Sequence, residues 1–214
     1  MKHRISLCIS ALCFFTAFLI TMSSRTAGEE ALAARIAPEI LRFHILAESN
    51  AAHDQELKIG LKGLVLDYVH SQVPDSAGKE GLIEWLENNR TSIETMSEDW
   101  LADQGAPYGV TLEVTKDYFP TKAYGDMVFP CGTYDAVRIT IGQGKGHNWW
   151  CVLYPRFCFL DETCKEIPEE SRKELQDQLN QGDYPLLEDH RPDLNIRFFF
   201  FPEFRPVLPS HSTG

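Results

Sequence analysis

No Cys-x-x-Cys pair occurs in this chain. Structural zinc sites draw on such closely spaced thiolates, so a zinc-built fold is disfavoured. Gly-Lys occurs, but Ser or Thr never follows it, and the phosphate-cradling loop of nucleotide-binding proteins needs that hydroxyl at the start of a helix. The third glycine and crossover helix of a dinucleotide-binding fingerprint are also missing. No Gly-x-Ser-x-Gly elbow is present, which removes the commonest serine-hydrolase signature. There is no internal repeat. Basic residues are scarce, with 20 Lys and Arg against 31 Asp and Glu and a net charge of −11. A body of that charge is not drawn to nucleic acid or to anionic lipid. No cofactor is implied.

The N-terminus supplies the first positive signal. Met1–Arg4 is basic, and Ile5–Met22 carries no charge. A basic flank before an apolar run is the mark of a membrane-targeting segment. Residues 1–24 are therefore read as a signal peptide or a membrane anchor. The apolar run is long for the former and just long enough for the latter. Small residues at Ser23, Ser24, Thr26 and Ala27 leave room for cleavage, without a clean Ala-x-Ala box. Export makes the remainder more acidic, 18 basic residues against 31 acidic. It also places Cys131, Cys151, Cys158 and Cys164 where disulfides persist.

Residues 25–37 read as a linker or short helix, ended by Pro38. Alternation in Glu39–Ser49 predicts a strand. Ser49, Asn50 or Asp54 caps a following helix whose apolar face is Leu57, Leu61, Leu64, Val65, Tyr68 and Val69. Pro74 and Gly78 break it. A second helical stretch carries Leu82, Trp85, Leu86, Ile93, Met96 and Trp100, with an interruption at 88–91. Strands follow at Val110–Tyr118, Tyr134–Gly142 and Asn148–Tyr154. The Gly142–Gly146 turn is expected to close a hairpin between the last two, and 119–131 to be an exposed loop. This order gives an α+β domain over 38–161: two layers, a mainly antiparallel sheet of about four strands covered by two or more helices. Residues 162–214 form a C-terminal extension, with a helix start at Pro168 and an aromatic, proline-broken tail.

The densest chemistry lies in "GKGHNWWCVLYPRFCF", Gly144–Phe159. His147 and Cys151 fall on one strand face, but no paired ligand completes a metal site. His147 also suits a turn, bonding backbone. Cys151 and Cys158 enclose a segment turned by Pro155, which suits a local disulfide worth about 2–3 kcal/mol. Trp149 and Trp150 point to opposite faces. One packs under the helices; the other is exposed, covers a second layer, or is also buried. Gly146, His147, Asn148, Trp149 and Trp150 together have the composition of a partner-binding surface.

Two blocks resemble the stage II sporulation protein R family: "LRFHILAESNAAHDQELKIGLKGLVL", Leu41–Leu66, and "GTYDAVRITIGQGKGHNWWCVLYPRFCF", Gly132–Phe159. The likeness covers roughly 38–161; Cys131, Cys164 and the tail from Glu162 fall outside the pattern. The resemblance implies a protein exported from the forespore into the intermembrane space. There it activates a membrane-embedded aspartic protease in the opposing membrane, which processes a mother-cell sigma-factor precursor. It implies no catalytic residue, and none is assigned. Two other readings are a cell-envelope hydrolase using His147 with a carboxylate or metal, and a wall-binding module stacking tryptophan on sugars.

Overall fold

A computed structural model describes residues 2–158, 167 and 169–188. Helix α1 spans Lys2–Ile36 and leads through a 3-10 turn, Ala37–Glu39, into strand β1, Leu41–Leu46. Pro38 ends the helix because it has no N–H to donate to the preceding turn and its ring crowds the carbonyl there. Helices α2 (Ala52–Gln72), α3 (Gly78–Asn88) and α4 (Arg90–Asp103) follow. The break at Asn89 is the interruption expected between 88 and 91. Strands β2 (Val110–Phe119), β3 (Lys122–Tyr124), β4 (Met127–Phe129), β5 (Gly132–Ile141) and β6 (Asn148–Tyr154) precede helix α5, Glu169–Gln178.

The main sheet has the order β2-β5-β1-β6. β1 is antiparallel to β6 and parallel to β5, and β2 is antiparallel to β5. The class is α+β with a mainly antiparallel four-stranded sheet, as the alternation and helix periods imply. Leu41, Phe43 and Ile45 of β1 share one sheet face with Leu112, Val137 and Ile139. That face packs on Leu57, Leu61, Val65 and Val69 of α2, with Leu82, Leu86, Ile93 and Leu101 from α3 and α4. The helical cores are thus the apolar faces expected from their spacing; Leu64, Tyr68, Trp85, Met96 and Trp100 flank them.

The expected β5–β6 hairpin does not form. β1 lies between the two strands, and the connection arches over its end. Lys145 and Gly146 donate their N–H groups to the carbonyls of Glu48 and Ala47. Those bonds hold the turn on the continuation of β1, leaving no room for direct pairing. Gly142 and Gly144 adopt φ of 55° and 61°, left-handed values that side-chain-bearing residues resist.

The opposite sheet face is covered as well, by the described residues only in part. Ala33 and Ile36 of α1, Met127 and Phe129 of β4, and Ile167, Leu175, Leu179, Tyr184 and Leu187 pack over Tyr134, Ala136, Val152 and Phe119. Three expectations change here. Residues 25–36 continue α1 without a break, and their last turns are built into the core. Residues 119–131 hold the short β3–β4 hairpin rather than an open loop. Residues 169–188 of the extension belong to the domain; Leu187 accepts from Val128 N–H, and Glu188 bridges to Met127. The aromatic tail and Cys164 lie outside the described residues.

Exposed strand edges invite pairing with other chains and are usually blunted. Here Glu98 and Glu94 of α4 accept the outward N–H groups of Val110 and Leu112 on β2, at 2.9 and 2.8 Å. On β6, Val152 O accepts from Phe157 and Cys158 N–H.

Candidate functional site

The Gly144–Trp150 run is fixed by the start of α2. His147 N–H donates to Asn50 Oδ1 at 2.7 Å, and Lys58 Nζ donates to His147 O at 3.0 Å. Ser49 and Asp54 do not cap α2 as expected; the N-cap is Ala51, whose N–H donates to Ser49 Oγ, while Ser49 bonds Asp54. The two blocks that carry the family resemblance therefore meet at one corner. His147 itself is exposed, and its backbone, not its ring, makes these bonds.

Trp149 and Trp150 point to opposite faces, and both are half-buried. Trp149 lies edge-on to Phe43, with Lys62 Nζ 4.8 Å from its ring centre. Trp150 lies flat against His44, with centroids 4.8 Å apart, and meets Phe119 edge-on. Cys151 and Cys158 form a disulfide with Cα atoms 5.4 Å apart. Cys131 is free.

Trp150 belongs to a cross-sheet row that sequence reasoning missed. Register places Trp150, His44, Arg138 and Glu113 side by side on β6, β1, β5 and β2. His44 Nε2 lies 2.9 Å from Asp117 Oδ2, and Arg138 bridges Asp117 and Glu113. Burial pushes the imidazole below its ordinary pKa, against the pull of Asp117, and Arg138 adds to the depression. Neutral His44 therefore donates Nε2–H to the carboxylate. Among the described residues, its Nδ1 and the Oδ1 of Asn148 have no hydrogen-bond partner.

One row nearer α1, Arg42 is fully buried. Its guanidinium lies 4.6, 5.1 and 5.6 Å from the ring centres of Phe119, Tyr134 and Phe129. None of its three nitrogens has a hydrogen-bond partner among the described residues. Desolvation lowers its pKa, and facing rings offset part of that cost. The sequence signal was available: Arg42 and His44 alternate with Leu41, Phe43 and Ile45. On a lone strand that pattern reads as a wet face; in the sheet it is a polar seam under a lid.

Past this seam the described residues supply no further cover. Thr111, Glu113, Arg138, Thr140, Leu46, Asn148 and Trp150 share the face and are exposed or half-exposed. No group of three or more His, Cys, Asp or Glu poised to hold a metal occurs among the described residues.

These features define a class of protein: an α+β domain behind an apolar N-terminal helix, with a half-open sheet face bordered by a braced turn. The chain belongs to the stage II sporulation protein R family, whose sequence model matches residues 37–164. A curated relative, stage II sporulation protein R of Bacillus subtilis (strain 168), is 32% identical over 177 residues, covering 81% of this chain and 79% of the relative. No solved structure matches.

Proposed function

We propose that this chain is an exported sporulation signal that works by contact. It docks through the open half-face, Thr111, Arg138, Thr140, Asn148 and Trp150, with the adjoining Gly146–His147 turn. Its receptor is a membrane-embedded aspartic protease of the opposing membrane, which then processes a mother-cell sigma-factor precursor. The observation that carries this reading is that, among the described residues, cover on the second sheet face ends abruptly beside the turn that marks the family. Differential affinity for the active receptor state would supply the activation. The apolar span of α1 and the family membership support export and a role in sporulation. No catalytic role is assigned to the His44–Asp117 pair, because the imidazole is packed between the rings of Trp150 and Phe119.

The test is precursor processing in sporulating cells carrying Thr111→Arg or Asn148→Ala. Both variants are expected to accumulate as folded protein and to fail in processing. Normal processing in both overturns the docking surface.

A further inference from the structure

We infer that α1 is a hingeless stalk, which holds the Gly142–Asn148 end of the sheet away from the chain's own membrane and toward a protein in the opposing one. This rests on the docking reading for the identity of the partner, but the orientation is argued independently.

The apolar part of α1 is long enough to cross a bilayer. Residues 9–28 are exposed, and burial begins at Glu29. No proline interrupts the 35-residue helix. From Glu29 on, every turn is gripped. Glu29 accepts from Thr121 Oγ1 and from Cys131 N–H. Glu30 Oε1 accepts from Tyr118 OH at 2.9 Å. Ala33 sits on Gly132, where any Cβ would collide with the alanine methyl. Ile36 is fully buried. Beyond the helix, Lys79 Nζ donates to Ala37 O, Pro38 O and Asp135 Oδ2 at 3.0, 2.6 and 2.7 Å, which locks the corner into β1. A linker would show none of these contacts.

The order of contacts sets the direction. Ile36 leads to the start of β1, Ala33 to Gly132 at the start of β5, and Glu29 to Thr121 and Cys131 beyond the sheet. The helix therefore leaves past the Phe119–Gly132 end. β5 runs from that end to Ile141, and the Gly142–Asn148 turn caps the other. Thr133 and Gln143, both exposed, bracket this strand and lie roughly 30 Å apart at ~3.3 Å per residue.

The experiment places the full chain in receptor-free vesicles containing an acceptor-labelled lipid. Thr133→Cys or Gln143→Cys carries a donor dye, in a background that keeps only Cys151 and Cys158. Energy transfer to the membrane is expected to be several-fold stronger from position 133 than from 143. A flexible Gly-Ser insert after Gly28 is expected to erase the difference. Unchanged thermal unfolding of both labelled chains checks that the fold is intact. Equal transfer without the insert overturns the stalk, as does recovery of chain cleaved before Glu29. Because no receptor is present, failure here leaves the docking surface untouched, and failure of docking leaves the stalk untouched.

Discussion

The imidazole of His44 lies against the indole of Trp150 with the two ring planes 2° from parallel. The stack joins a family-marking tryptophan on β6 to a buried titratable group on the central strand. It also predicts a pH response. The folded-state pKa of His44 is depressed, so the unfolded chain binds more protons as acidity rises. Stability is fully present above the unfolded value of about 6.5 and falls as pH drops below it. Urea unfolding of wild type and His44→Gln across pH 5–8 checks this: the substitution should flatten the acidic decline. An equal decline in both assigns it to other groups.

Arg42 is expected to be costly where it stands. A buried cation without hydrogen-bonded partners is often replaced by an apolar side chain at no loss or at a gain. Arg42→Met should raise the melting temperature by about 2–4 °C, the equivalent of about 1 kcal/mol in a domain of this size. Calorimetry reads it directly. A large drop would mean that the rings of Phe119, Tyr134 and Phe129 more than compensate the desolvation.

The packing of α1 onto β5 leaves no space at Gly132. Gly132→Ala should therefore push Ala33 outward and cost about 1–3 kcal/mol, typical of overpacking. Denaturant midpoints of the variant measure it, and a paired Ala33→Gly change should recover part of the loss.

The Cys151–Cys158 bond closes a short loop. Cys158→Ser should lower stability by about 2–3 kcal/mol on the loop-entropy account, leaving the helix face folded. Comparison of wild type with and without reductant should give a loss of the same size.

Much of this fold was legible in the sequence. Leu57, Leu61, Val65 and Val69 announce α2, and alternation in Val110–Tyr118 and Tyr134–Gly142 announces β2 and β5 within a residue or two. Strand order was not legible. The turn chemistry of Gly142–Gly146 favours a hairpin locally, and only the long-range bonds to Ala47 and Glu48 send it across β1. The three-residue strands at Lys122–Tyr124 and Met127–Phe129 are too short to show a period. For the site, Asn148 and the tryptophans stood out by composition. Arg42, His44, Asp117 and Arg138 did not, since they converge only through cross-strand register. Nor did the sequence show that residues 29–36 belong to the domain, because an Ala- and Glu-rich stretch reads the same as a free or a docked helix.

The central claim is that the half-open face is where this signal meets its receptor. The most direct measurement is the affinity of the full chain for the receptor protease reconstituted in lipid nanodiscs. Wild type should bind, Thr111→Arg and Asn148→Ala should each bind at least tenfold more weakly, a loss of about 1.4 kcal/mol, and Glu87→Arg on the far helical layer should match wild type. Equal affinity across all four proteins would contradict the account, as would weakening by Glu87→Arg alone.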